Sequence, residues 1–406
     1  MKPLVSISIV TSTLLFGAAY KIPEQSARSV ALAGAYVAAA KDADTSYFNP
    51  ANMSFMEDGN FFELSLTGAF LPKIKFDGQQ IIDPTGPTLI PATNKSKSEK
   101  FLIPHLHYVA KPLGNFRWGF SITTPAGTSK RWDNPPQRWS ANKYTLRVAE
   151  FSPSISYRLS ENFSIGAGAR IVFTDGKIIL DTPQVAYYLN GDVQTRYGYS
   201  LAASYKLKEL TLSATYRSKV DLKEKGTASI YDKTRNISLT STGRVKVPLP
   251  ATLTLAAALD INNKATFELV YEKTYWSSYK TLDITFDQAA PYDIHRNKYW
   301  KDTNTFRVGL TYKNSSKLTT MYGLAFDQTP VPANTLGYEL PDSDALIFST
   351  GAIYALNNQL RIGIAYLYDY KLDRTISLAD RNQNGIVGTF KNMRAHLLDL
   401  SLAYRF

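Results

Sequence analysis

Few side chains in this sequence are placed to do chemistry. It has only four histidines, His105, His107, His295 and His396, and no Ser, His and acid constellation picks itself out as a nucleophilic site. His105 and His107 stand two apart, so on a strand they share a face and could hold a metal. No third ligand can be named, and two neighbours on one strand face is the better reading. The run Asp380-Arg381-Asn382-Gln383-Asn384-Gly385 opens like a calcium loop, but Lys391 stands where a bidentate Glu should be. It therefore reads as an extracellular turn with Asn384-Gly385 at its tip. Gly166-Ala167-Gly168 falls inside a strand and reads as packing space, not as a nucleotide loop. With no cysteine there is no disulfide or thiolate metal site to consider. The residues thus predict no enzyme, no metal and no cofactor.

Charge is the next candidate for function. The chain carries a net +12, partly concentrated in two stretches. Lys130, Arg131, Arg138 and Lys143 face only Asp133 in 126–143, and Lys223, Lys225, Lys233, Arg235 and Arg244 outnumber Asp221, Glu224 and Asp232 in 221–244. Basic outward loops would meet the phosphates of lipopolysaccharide in an outer leaflet, or attract a carboxylate ligand. Nucleic acid is a poorer partner because the chain begins like a secreted one. Lys2 supplies a positive start, Leu4 to Phe16 an apolar run and Gly17-Ala18-Ala19 a small-residue cleavage site. That run is shorter than the ~20 residues a spanning helix needs, and no later segment reaches that length. A membrane, if crossed, must be crossed by strands.

The elements that position these residues divide the chain into 1–19 as signal segment, 20–58 as an N-terminal hatch and 59–406 as a β region. The hatch crowds Ala27, Ala31, Ala33, Gly34, Ala35, Ala38, Ala39 and Ala40 together and ends at Asn49-Pro50-Ala51, a turn or helix start. Pro50 would fix φ there and Asn49 would cap the freed backbone donors. Beyond Asn60 the period is two, and fourteen strands are predicted at 60–71, 100–111, 115–125, 144–158, 162–174, 193–206, 210–220, 245–260, 264–284, 305–313, 317–327, 344–356, 359–371 and 393–406. Short turns alternate with long loops around 72–99, 126–143, 175–192, 221–244, 285–304, 328–343 and 372–392. An even number of antiparallel strands in that pattern is the layout of an outer-membrane barrel with its short turns in the periplasm. The predicted fold is all-β, a 14-stranded antiparallel transmembrane barrel with a mostly helical hatch folded back into the lumen.

Face alternation agrees. In the last strand Leu398, Leu400, Leu402, Tyr404 and Phe406 oppose Asp399, Ser401, Ala403 and Arg405. In 359–371, Leu360, Ile362, Ile364, Tyr366, Tyr368 and Tyr370 oppose Arg361, Gly363, Ala365, Asp369 and Lys371. One face suits lipid and the other a wet or plugged lumen, whereas a soluble sandwich would need a second sheet over the apolar face. The ending Tyr404-Arg405-Phe406 looks like the terminal signature that the outer-membrane barrel assembly machinery recognises.

Several short motifs in order resemble the FadL family of outer-membrane transporters for hydrophobic compounds, which includes fatty-acid, toluene and xylene uptake proteins. They are Asn49-Pro50-Ala51, Leu249-Pro250-Ala251-Thr252-Leu253, Trp276-Ser277-Ser278-Tyr279, the run from Gly323 to Pro332 followed by Leu340-Pro341-Asp342-Ser343-Asp344, and the closing Ala395 to Phe406. The resemblance implies a hatch-gated fourteen-stranded barrel for fatty acids or aromatic or aliphatic hydrocarbons, acting as a monomer. It also implies a kink in the third strand that opens the wall sideways into the bilayer, carried here to Thr124, Pro125, Ala126 and Gly127. Pro lacks a ladder donor and Gly weakens packing, though Pro125 could equally end the strand at its loop. The family places an Arg shortly after the acidic residue matched by Asp342, where this chain has Ser343-Asp344-Ala345, so any role of that Arg does not transfer. A general diffusion porin or structural barrel is the alternative, and an outer-membrane hydrolase a third; the Ala-rich segment ahead of the first strand argues against a porin.

Overall fold

A computed structural model describes residues 19–83 and 88–406. The expected signal segment lies outside the described residues except for Ala19. Fourteen strands close an antiparallel ring: β1 (Phe61–Leu71), β2 (Glu99–Val109), β3 (Phe116–Thr123, resuming as Gly127–Lys130), β4 (Lys143–Arg158), β5 (Phe163–Asp181), β6 (Gln194–Leu207), β7 (Leu210–Arg217), β8 (Thr252–Ile261), β9 (Ala265–Thr274), β10 (Thr303–Lys313), β11 (Leu318–Asp327), β12 (Ala345–Ala355), β13 (Leu360–Lys371) and β14 (Arg394–Arg405). Closure comes from β1, which pairs with β2 on one side and with β14 on the other, from Phe61↔Arg405 to Phe70↔His396. The alternation fixes which face looks out. Leu64, Leu66, Leu398, Leu400 and Leu402 are exposed on the outer wall, while Glu63, Ser65, Thr67 and Asp399 are buried inside. Shifting the register by one residue would put those carboxyls into lipid and the leucines into the lumen, both unfavourable.

Three predicted strands are shorter than expected, each for a local reason. The strand expected at 245–260 is two, Ile237–Leu249 and β8, because Pro250 cannot donate to a ladder. The strand expected at 264–284 breaks at a 3₁₀ turn over Trp276–Ser278, and the one expected at 210–220 ends at Arg217. Conversely, much of the chain expected as long loops is itself paired, together with Val245–Leu249 and Thr281–Ile284 from the expected strands. Val185–Gly191, Val220–Asp232, Ile237–Leu249, Thr281–Phe286 and Ile294–Asn297 continue the sheet beyond the long-loop rim of the barrel. Their outward residues, such as Lys223, Lys225, Thr227 and Ser229, are polar, as befits a sheet standing in water. A second small sheet joins Lys75–Ile81 to Ile386–Lys391 and packs Phe76 against Phe390 and Tyr338.

The hatch fills the lumen with three short helical pieces, Ala27–Ala31, Thr45–Phe48 and the 3₁₀ turn Pro50–Phe55, joined by turns; it is less helical than expected. The first starts at Ser26 with a reciprocal Ser26–Ser29 capping box. Its backbone lies almost on the wall. A Cβ added to Gly323 of β11 would fall 2.2 Å from the Leu32 carbonyl carbon and 2.5 Å from the Ala33 nitrogen. Polar ties complete the seating: Asp42 bonds Arg28 at 2.6 Å and Arg361 of β13 at 2.5 Å, and Glu268 of β9 accepts from the Val37 and Ala38 amides at 2.8 and 2.6 Å. Gly323→Val should therefore dislodge the hatch while the ring, which pairs without it, still forms. A heat-modifiable barrel with raised single-channel conductance is expected, and parent-like conductance would contradict this packing.

In the sheet beyond the rim, Glu224 is nearly buried and accepts from Thr174 Oγ1 at 2.5 Å. Burial, with the charge of Asp175 adding, pushes its carboxyl up to about 7. A carboxyl whose folded value lies above its unfolded one of ~4.3 stabilises the fold at low pH and loses that contribution as pH rises through the folded value. Hydrogen exchange of the amides in Val220–Asp232 should thus quicken between pH values below and above about 7, and Glu224→Gln should flatten the difference.

Candidate functional site: the hatch, the broken third strand and two cavities

The wall is incomplete at β3. Between β2 and β3 the ladder runs only from Leu106↔Ile122 to Val109↔Gly119, although β2 is paired along its whole length with β1. At Thr124-Pro125-Ala126 the strand breaks, and Gly127–Lys130 then pairs with β4 alone. Pro125 interrupts the strand without ending it. The groups freed at this break are satisfied from inside. Thr124 N–H donates to Gln25 Oε1 at 2.8 Å and Gln25 Nε2 donates to the Thr124 carbonyl at 3.0 Å. Ile22 N–H donates to the Pro125 carbonyl and Gly127 N–H to the Tyr20 carbonyl, both at 2.9 Å, and Lys21 bridges Ala126. The leading residues of the hatch act as a substitute strand for the missing stretch of ladder.

Either side of this contact lies a cavity. The one toward the long loops is lined by Tyr20, Tyr144, Ile178, Leu189, Val245 and Trp300 among others. Its floor is aromatic: Tyr20, Trp276, Tyr279 and Trp300 pack edge to face, with Tyr20 and Trp276 centroids 4.9 Å apart. The other lies toward the short turns and carries charged groups, with Lys21, Pro125, Arg170, Arg217, Glu272 and Arg307 in its wall. Its cations share two carboxylates, Arg170 and Arg217 pairing with Glu150, and Lys21 and Arg307 with Glu272. Tyr20 and Lys21, consecutive in the chain, form the partition between the two.

Asn49-Pro50-Ala51 sits at the other end of the hatch. Pro50 opens the 3₁₀ turn, but Asn49 makes no side-chain cap. Its Nδ2 instead donates to the Val37 carbonyl at 2.9 Å and to Ser204 and Ser213 of the wall at 3.0 and 3.1 Å. The expected cap fails because the Nδ2 bonds to two wall hydroxyls and a buried carbonyl fix the amide's orientation, and Oδ1, which would have to accept from the turn's N–H groups, is left without a partner among the described residues. Gly166 is the seat of this corner: a Cβ there would fall 2.5 Å from the Ala51 nitrogen. The hatch corner and the third-strand break are thus separate sites joined by one buried segment.

The remaining candidates take structural places. His107 bonds Ser121 and the Gln25 carbonyl, each at 2.8 Å, and His105 meets Thr67 at 3.2 Å, so both face the lumen. Asn382 and Asn384 donate to the Leu336 carbonyl, tying the Asp380–Gly385 turn to the 328–343 loop, with Gly385 in the left-handed region at φ 68°. Asp342, which lacks the expected Arg, pairs with Lys371 at 2.7 Å. Many of the basic loop residues have acidic partners: Arg131 with Glu99, Arg138 and Lys233 with Asp181, Arg244 with Asp287. Tyr404 and Phe406 stack on the outer wall with centroids 5.4 Å apart, and Phe406 exchanges two backbone hydrogen bonds with Asn60. Gln25 and Tyr20 carried no periodic or motif signal, and were not anticipated.

Known proteins match this chain over most of its length. A family described as outer membrane protein transport protein (OMPP1/FadL/TodX) matches residues 8–406. A long-chain fatty acid transport protein of Escherichia coli O6:H1 is 26% identical, covering 91% of both chains, and outer membrane protein P1 of Haemophilus influenzae is 23% identical, covering 86% of this chain and 85% of that one. Among solved structures, a FadL homologue of Pseudomonas aeruginosa superposes with a TM-score of 0.84 at 22% identity, covering 96% of this chain and 100% of its own. The Pseudomonas putida toluene transporter TodX does so with a TM-score of 0.70 at 19% identity, covering 96% and 99%. A closed fourteen-stranded ring with lipid-facing leucines, matched by this family over nearly its whole length, places the chain in the Gram-negative outer membrane as a member of the OMPP1/FadL/TodX transport family.

Proposed function

We propose that this protein takes up hydrophobic small molecules, long-chain fatty acids or aromatic or aliphatic hydrocarbons, with the hatch as gate and the third-strand break as a lateral exit into the bilayer. The observation that carries this is the partition: Tyr20 and Lys21, which separate the apolar cavity from the charge-bearing one, also hold the broken strand at Gly127 and Ala126. A ligand entering from the long-loop side gains about 25 cal/mol per Å² of apolar surface withdrawn from water. Its way onward is blocked by Tyr20 and Lys21. Displacing them breaks the Gly127 bond to Tyr20 and the Lys21–Ala126 bridge, and draws away the adjoining Ile22 and Gln25 that hold Pro125 and Thr124, so opening the partition and opening the wall become one event. A ligand can drive that event only through tighter binding to the displaced arrangement. The relatives named for fatty acids and for toluene agree with an apolar cargo. A diffusion porin would gain nothing from burying Tyr20 to Met53 in its lumen. Tyr404 and Phe406 serve, in this reading, as the handle for the assembly machinery.

Two substitutions separate the parts. Pro125-Ala126-Gly127 replaced by Val-Thr-Val should let β3 continue its ladder, because β-branched residues suit a paired strand. Uptake of a radiolabelled fatty acid or toluene should fall to a small fraction of the parent rate while barrel stability holds or rises. Undiminished uptake would remove the lateral exit. At the hatch corner, Asn49→Ala should remove the three bonds its amide makes to Ser204, Ser213 and the Val37 carbonyl, loosening the segment by about 1–3 kcal/mol. Planar-bilayer recordings should then show more frequent openings, and steady porin-like conductance in the parent would overturn gating altogether.

A further inference from the structure

The sheet beyond the long-loop rim sets like charges face to face. In the strand pair Val220–Asp232 and Ile237–Leu249, Lys223 stands directly opposite Lys246, and Lys225 directly opposite Arg244. The two pairs are successive on one face and all four side chains are exposed, while the intervening Glu224 and Val245 point the other way and are buried. Like charges directly opposite destabilise a strand pair, and a sheet that only had to stand in water would gain from alternating the signs. Local acids do not cancel the excess. Asp221 takes Lys246 at 3.0 Å and Lys219 at 3.1 Å, and Asp287 gives its two oxygens to Arg244 at 2.9 and 2.8 Å. Asp192, whose N–H donates to the Lys225 carbonyl at 2.9 Å, makes no ion pair among the described residues, and Asp283 contacts His295. Lys223 and Lys225 are left without an ion-pair partner among the described residues.

The position of this face says what would neutralise it. At its foot are rings of the outer wall, Tyr197 and Tyr199 of β6 and Tyr216 of β7, the last two with centroids 6.0 Å apart. Ser218 N–H donates to the Tyr199 carbonyl at 2.9 Å and Arg196 Nη2 to the Lys223 carbonyl at 2.8 Å, so tyrosines and cations are neighbours on the barrel. Tyrosines on a membrane wall mark the level of the lipid headgroups. The cations therefore stand at or just above the headgroups of the leaflet on the long-loop side, which in a Gram-negative outer membrane carries lipopolysaccharide. A phosphate held between opposed ammonium groups turns their repulsion into charge-assisted hydrogen bonds.

We propose that this cationic ladder binds the phosphate groups of lipopolysaccharide in the outer leaflet, with Lys223 and Lys225 as the principal contacts, and so anchors the sheet to the membrane surface. The inference is independent of what the barrel carries. It is tested with the full chain purified in detergent and freed of lipopolysaccharide. Binding of rough lipopolysaccharide, of the same molecule dephosphorylated and of phosphatidylglycerol is measured by native mass spectrometry and fluorescence titration, in EDTA to remove bridging divalent cations. The phosphorylated form should bind about ten-fold or more tightly than the dephosphorylated one, because the charge-assisted contacts go with the phosphate. Raising the salt should shrink that preference. Lys223→Gln combined with Lys225→Gln should remove most of it, whereas Lys317→Gln, on the short turn between β10 and β11, should leave it intact. Taking like charge out of a strand pair favours pairing, so the double variant should melt at or above the parent's temperature without lipid, and lipopolysaccharide should raise the parent's melting temperature by more than the variant's. Equal affinity for the phosphorylated and dephosphorylated forms, equal binding of phosphatidylglycerol at matched phosphate, or a parent-like preference in the double variant would overturn the proposal. Binding of heparin with no binding of lipopolysaccharide would overturn it too, in favour of a soluble polyanion.

Discussion

Hydrocarbon offers a strand no hydrogen-bond partner, so a membrane wall made of strands must pair every backbone group or supply a substitute. The rest of this structure follows from how that constraint is met at β3. The ladder fails at Thr124-Pro125-Ala126, and the donors and acceptors it leaves are taken up by Tyr20, Ile22 and the side chain of Gln25. The wall is sealed by a segment that is not part of it. Anything that moves the hatch must expose those groups, and anything that exposes them costs free energy unless cargo or water fills the gap.

The same constraint explains where the small residues sit. For a folded segment to reach the inner wall closely enough to bond its backbone, both surfaces must be nearly bare. The alanines of the hatch supply one surface; Gly323 of β11 and Gly166 of β5 supply the other. Larger side chains are kept for the places where the hatch stands away from the wall, such as the aromatic floor of Tyr20, Trp276, Tyr279 and Trp300. Carboxylates facing the lumen are paired locally, Glu150 by two arginines and Asp42 by another two, so buried ion pairs tie hatch and wall together.

Much of this was legible in the sequence because a barrel repeats one rule. Period-two alternation fixed the faces of β13 and β14 residue by residue, and Pro125 marked the break. What the alternation could not distinguish was a strand in lipid from one in water: Val220–Asp232 alternates too, but with Lys and Thr on the outer face, and was expected as loop. Pro250 was taken into a strand because its neighbours alternate, although the missing donor divides it. Asn49 was read locally as a cap, whereas its partners, Ser204 and Ser213, lie far along the chain. Gln25 was invisible for the same reason: nothing in an Ala- and Ser-rich stretch announces that one amide will pair with a peptide of the third strand.

The seam between β1 and β14 has a consequence for how the molecule is made. It joins Phe61 to Arg405, so the contacts that complete the ring are among the most distant in sequence, and such high-contact-order pairings carry the largest loop-closure cost and form late. The hatch is joined directly to β1, and its seats on β5, β9, β11 and β13 are spread around more than half the circumference. Biogenesis therefore has a preferred sequence, in which the sheet curls around the hatch while the seam is still open. A ring zipped shut first would have to admit a folded, charged segment through its narrow end.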